Sequence, residues 1–165
     1  MSHHVRSAEA PTGAAPLRRV VQRRVDEPLE HRTRPCARCP WRRDADLTAF
    51  TDADMAMLRG SDGRPGDEAP PTAPNVACHR DQPGTAHAWR LCAGWLAVVG
   101  HSHLGIRATA MAGGLPHTAL APGDGWPELY GSLSELETAR NAQLDRAAGR
   151  RPTDAQLPDP TPPSA

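Results

Sequence analysis

Residues 35–50 read PCARCPWRRDADLTAF, and the fold turns on how the two cysteines at the start of this stretch are used. Cys36 and Cys39 form a C-x-x-C pair, the spacing at which two thiolates on a tight turn face a single ion. The chain has only two other cysteines, Cys78 and Cys92, so the total equals one tetrahedral shell with none left over. All four are expected to converge on one site, most simply a bound metal. Zinc is the default for a closed shell of four thiolates that holds a small domain together, and its binding then contributes directly to folding. An iron-sulfur cluster is the rival. Pro40 directly follows Cys39, as proline follows cluster ligands in bacterial ferredoxins, and the second half of the chain lacks the C-x-x-C of a zinc ribbon. His79, next to Cys78, can replace one cysteine in a shell of three thiolates and one imidazole. A redox dithiol and plain buried thiols are the readings without a metal.

The neighbours of the cysteines carry a charge pattern. Arg34, Arg38, Arg42, Arg43, Arg80 and Arg90 all lie within four residues of a cysteine, where cations lower thiol pKa values and offset excess negative charge. From His31 to Arg43 there are five arginines (32, 34, 38, 42 and 43) and no acid, whereas from Asp44 to Asn75 seven acids outnumber two arginines. The Arg32–Arg43 patch permits phosphate contacts, so a nucleic-acid partner is one expectation and a protein partner the other. The plainer reading is that the arginines balance the thiolates and pair with the acidic loop. No recognition helix or RNA-binding signature accompanies the patch.

Composition sets the frame for the site. Among 165 residues there are 18 prolines and 14 glycines, and aromatic residues make up 4%. Mean hydropathy is −0.58. A core this poor in large side chains calls for a staple. Net charge is zero, so the whole-chain balance points to neither a nucleic acid nor an anionic membrane. No stretch approaches the roughly 18–20 consecutive apolar residues of a membrane span, and Met1–Pro16 lacks the apolar run of a secretory signal. A cytoplasmic location is expected, where thiols stay reduced and serve as ligands before they serve as disulfides.

The expected fold class is small α+β, mostly α and irregular: a single metal-stapled domain with disordered tails. Residues 1–30 form a mobile N-terminal segment ending in one short helix or strand. Residues 31–131 are the four-cysteine core domain, with 61–75, rich in Gly, Pro and Asp, as a flexible surface loop. Before that loop, Thr51 is a good N-cap for DADMAMLRG, with Asp52 and Asp54 in the favourable first turn and Gly60 as the stop. Residues 76–115 are the most hydrophobic part. Leu91, Cys92, Trp95, Leu96 and Val99 recur at helical spacing, predicting a helix that ends near Gly100 and carries Cys92 beside its apolar stripe. A second helix is predicted from Ser102 to Met111, stopped by Gly113 and Gly114. Residues 132–149 form an amphipathic terminal helix carrying Leu133, Leu136 and Leu144, capped by Ser132 with Glu135 or by Ser134 with Glu137. The tail 150–165 has five prolines and almost nothing apolar, and is expected to be disordered.

Other candidates are weaker. His101 and His103 form an HxH pair, but on the helical reading they point apart and serve as solvated or helix-capping residues. A catalytic Cys78–His79 pair needs side chains to meet that normally diverge, with a third group to orient them. Trp41, Trp89, Trp95 and Trp126 are expected to pack the core and the metal's surroundings, Trp95 shielding the site from water. The chain shows no paired carboxylates in an apolar context and no phosphate-binding glycine loop.

CARCPWRRD, then ACH, then CAGWLAVVGHSHLGIR with GWPEL downstream, closely resembles an uncharacterised domain-of-unknown-function family of actinobacteria and their phages, recognised by a CxxCPWR knuckle, a Cys-His pair and a CAGW helix. The resemblance covers Pro35 to Leu129. It implies that Cys36, Cys39, Cys78, His79 and Cys92 belong to the defining motifs, and it brings no activity with it. The expected function is a non-catalytic binding or regulatory module built on structural zinc. The alternatives are an iron-sulfur protein that senses redox state or regulates transcription, and a metal-dependent enzyme using an open coordination position.

Overall fold

A computed structural model describes residues 16–20 and 28–150. Most of the expected mobile segment and all but the first residue of the expected tail lie outside the described residues. In chain order the elements are β1 (Arg18–Val20), α1 (Asp52–Gly60), β2 (Asn75–Ala77), α2 (Ala93–Val99), α3 (Leu104–Met111) and α4 (Leu133–Ala147). Short 3-10 turns stand at Leu47–Ala49, Gly100–Ser102 and His117–Leu120. This is the small, mostly helical and irregular α+β domain that the sequence implies.

β1 pairs antiparallel with β2, Arg19 opposite Val76. Single bridges continue the ladder from Ala77 to Leu91 and from Leu91 to His31. Four separate stretches of chain are thereby tied edge to edge. The backbone N–H of Leu17 donates to Asp54 Oδ1 at 2.8 Å, which fastens the start of β1 to α1.

Local chemistry sets the helix starts. The Thr51 hydroxyl accepts from the Asp54 N–H, and the Asp54 carboxylate accepts from the Thr51 N–H, closing a capping box, with aspartate where glutamate is usual. Gly60 is the last residue of α1. Ser132 caps α4 by accepting from the Glu135 N–H at 3.1 Å, while Glu135 accepts from the Gly131 N–H. Of the two caps the sequence allows there, Ser132 is the one used, but Glu135 reaches the Gly131 N–H and not that of Ser132, so the expected capping box is only half formed.

Two helices begin later than the spacing predicts. Leu91 pairs in extended geometry, its N–H donating to Glu30 O and its carbonyl accepting from the Arg32 N–H. Cys92 is the N-cap of α2, at φ −69° and ψ 121°. Tertiary pairing of Leu91 wins over helical periodicity. Ser102 belongs to a 3-10 turn, and α3 starts only after His103, whose Nδ1 accepts from the Ile106 N–H at 3.3 Å. His103 is therefore a helix cap and His101 is exposed.

The loop 61–75 runs along the α2–α3 junction. Ala69 donates its N–H to Ser102 O and accepts from the Leu104 N–H, at 2.8 and 2.9 Å. Gly63 makes this approach possible, since a Cβ there would stand 2.2 Å from the Ser102 carbonyl oxygen. Beyond it, β2 begins at Asn75, inside the stretch read from sequence as loop.

One core joins these pieces. α4 lays Leu133 and Leu136 against it, while Leu144 is only half-buried. Trp41 and Trp95 are buried and Trp126 is half-buried, but Trp89 is 55% exposed. Trp89 therefore departs from the expected core role. Its ring is covered on one side by the Arg18 guanidinium, 5.0 Å from the centroid.

Candidate metal centre

The site is assembled from two hairpin-like halves. In the first, Cys39 N–H donates to Cys36 O and Arg42 N–H donates to Cys39 O, both at 3.1 Å, winding residues 36–42 into two successive turns. In the second, β2 and the Leu91–Cys92 segment lie antiparallel: Cys78 N–H donates to Arg90 O and Cys92 N–H to Val76 O. That pairing brings two cysteines distant in sequence to one place. The folded chain then presses the halves together, with Cys36, Cys39, Cys78 and Cys92 at 7%, 0%, 1% and 3% exposure.

The sulfurs meet as a connected set. Cys39 Sγ and Cys92 Sγ are 3.6 Å apart. Cys36 acts electrostatically on both Cys39 and Cys78. His79 joins them, its Nε2 3.3 Å from Cys36 Sγ, and its ring is buried beside Phe50. All four cysteines are free thiols with no disulfide between them. Among the described residues no group of three or more His, Cys, Asp and Glu side chains is placed so as to hold a metal ion. Two close pairs stand there instead, Cys39 with Cys92 and Cys36 with His79.

The electrostatics alternate along this set. Hydrogen bonds from Cys39 and Cys78, helped by His79, push the Cys36 thiol far below its ordinary pKa. A hydrogen bond from Cys39, with another from the Trp95 backbone N–H, lowers Cys92 against the opposing effect of burial. Cys39 and Cys78 are pushed up, first by their hydrogen bonds to Cys36 and then by neighbouring thiolates and burial. The four thiols therefore titrate together and not as independent groups. The Arg80 and Trp95 backbone acts to lower Cys78 and Cys92 respectively, the direction in which donors to a thiolate act.

The arginines divide into two groups. Arg32 and Arg42 act electrostatically on the cysteines, Arg32 on Cys78 and Cys36, Arg42 on Cys39 and Cys36. Both are also paired to acids: Arg32 with the buried Asp81 at 3.1 Å, Arg42 with Asp44 at 2.6 Å. Arg90 holds Asp81 from the other side at 2.7 Å. Arg43 pairs with Glu128 and Glu135. Much of the Arg32–Arg43 charge is thus used inside the fold, while Arg34 and Arg38 are exposed.

Two residues of the site escape sequence reasoning. A Cβ on Gly94 would stand 2.7 Å from Cys39 Sγ and 2.8 Å from Trp41 Cβ. The available signal is a glycine inside a helical run, a choice that costs stability unless something packs against it. Asp81 is the other, a lone acid between Arg80 and Arg90 that accepts from Arg32 and Arg90 together.

Nothing among curated proteins and nothing among solved structures matches the chain. A family model does match, over residues 31–153, a span that holds all four cysteines, His79, Gly94 and Asp81. The chain belongs to that family, a family of unknown function, DUF6283.

Proposed function

We propose that the chain is a metal-stapled binding or regulatory module without catalysis, in which Cys36, Cys39, Cys78 and Cys92 hold one zinc ion. The observation that carries this reading is the 3.6 Å approach of the Cys39 and Cys92 sulfurs, with Cys36 and Cys78 buried in the same core and acting electrostatically on them. Two thiolates about 2.3 Å from a tetrahedral zinc stand about 3.8 Å apart. The Cys39–Cys92 separation of 3.6 Å is close to that edge. Binding then replaces the protons shared within the quartet, with small side-chain rotations closing the shell.

The same contact weighs against a four-iron cluster, in which each cysteine holds its own iron and no two ligand sulfurs touch. On this reading the CxxCPWR, Cys-His and CAGW motifs are the family's defining elements, and the protein works in the reducing cytoplasm of actinobacteria or their phages. A partner, protein before nucleic acid, meets the exposed face of the knuckle around Arg34 and Arg38 or the outer face of α4.

The test is metal analysis of protein purified without oxygen, with its visible spectrum. About one zinc per chain and no colour is the expected result. Iron with sulfide and a brown colour overturns it in favour of a redox-sensing cluster, and protein free of both overturns the metal centre altogether.

A further inference from the structure

Five donor side chains, the four cysteines and His79, are buried in this region. We infer that His79 is its reserve ligand: it stands beside Cys36 in the intact site and completes a shell of three thiolates and one imidazole when Cys36 leaves. This rests on the metal reading above and says which position of the centre is exchangeable.

Spacing is the first argument. A thiolate at about 2.3 Å and an imidazole nitrogen at about 2.0–2.1 Å on one tetrahedral zinc lie about 3.5 Å apart. His79 Nε2 and Cys36 Sγ are 3.3 Å apart. His79 Nε2 is therefore placed, in one tautomer, as a hydrogen-bond donor to Cys36 and, in the other, as a ligand to whatever ion Cys36 holds. A closed structural zinc accepts four donors, so one of the five must wait.

The surroundings indicate which position exchanges. Cys36 is the most exposed of the four cysteines, at 7%. Cys39 is fully buried with Gly94 packed against its sulfur, and Cys78 and Cys92 are held by the backbone pairing of β2. His79 is itself positioned: its ring lies 5.4 Å from Phe50, and its carbonyl accepts from Gln82 Nε2 at 2.8 Å. With the proton on Nδ1, the Nε2 lone pair faces the place that the Cys36 sulfur vacates.

The test loads the full chain with zinc and reads metal content together with the zinc X-ray absorption edge, in wild type, Cys36→Ala, His79→Phe and the double variant. Expected are four sulfurs around one zinc in wild type and in His79→Phe, the latter surrendering zinc to a chelator at least about tenfold faster because its outer-shell donor is gone. Cys36→Ala is expected to keep one zinc per chain with three sulfurs and one nitrogen, and the double variant to keep less than a tenth of that. Loss of zinc or of folding in Cys36→Ala overturns the reserve ligand, as does a double variant that retains zinc. A wild-type shell already containing nitrogen overturns the assignment of Cys36 as the resting ligand. Wild type that takes up no zinc is a different failure, that of the metal centre itself.

Discussion

Gly94 shows how tightly a single position is drawn into the site. Its missing side chain leaves the room that Cys39 Sγ and Trp41 occupy, so Gly94→Ala must displace one or the other despite the better helix propensity of alanine. Overpacking of this kind costs roughly 1–3 kcal/mol, against about 1 kcal/mol gained in propensity. The expected outcome is a net loss in urea unfolding together with lower zinc content, and a more stable, fully loaded Gly94→Ala protein would contradict the close packing. Asp81 acts through charge. It is buried and accepts from both Arg32 and Arg90, and the Arg32 pair ties the chain leading into the knuckle to the second half. Asp81→Asn keeps the shape and removes the charge. Arg32 and Arg90 are partly exposed and recover water, so the expected cost is about 1–3 kcal/mol rather than that of a fully buried pair. Equilibrium unfolding of the two proteins checks it.

Helix starts were readable at Thr51 and Ser132, where a side chain caps its own helix, and misread at Cys92, where distant backbone intervenes. Thr51 and Ser132 stand where local sequence places them. Cys92 falls outside its helix because Leu91 is held extended between Glu30 and Arg32, and no periodicity within residues 91–99 records a partner sixty residues away. The convergence of cysteines was legible in their number and in the C-x-x-C spacing. His79 was legible as a neighbour of Cys78, but its contact with Cys36 was not, because that contact depends on how the two halves dock. The alternative caps of α4 give a direct comparison. Ser132 accepts from the Glu135 N–H, so Ser132→Ala is expected to cost about 1 kcal/mol. Ser134 is exposed one residue inside the helix, and Ser134→Ala should stay within about 0.5 kcal/mol of wild type. Thermal unfolding of both variants side by side decides it, and equal losses would remove the cap assignment.

For the molecule as a whole, a lean core joined by three-residue strands places much of its stability in whatever fixes the two cysteine halves together. On the zinc proposal, an ion present at about a thousandfold above its dissociation constant adds roughly 4 kcal/mol. Chelation is therefore expected to lower Tm by on the order of 10–20 °C in a domain of this length, and a Tm indifferent to chelator would mean that the core stands without a staple. A second global handle lies away from the sulfurs, at His103. Its ring is fully buried, edge-on to Trp95 at 5.4 Å, with Nδ1 committed to capping α3. Burial pushes its pKa down, and the backbone of Ala73 and Pro74 offsets this only in part. The unfolded chain therefore binds this proton at a higher pH than the folded one. Stability that is complete above about pH 6.5 is lost as pH falls from there toward the lower folded value, and the loss levels off beneath it. His103→Asn keeps a capping side chain and removes the titration. Unfolding midpoints of wild type and His103→Asn, compared between about pH 7.5 and about pH 5.5 at matched zinc loading, should diverge, with wild type falling more steeply. The difference between the two proteins cancels the acid sensitivity of the metal centre, and parallel curves would show that His103 accepts its proton without disturbing the fold.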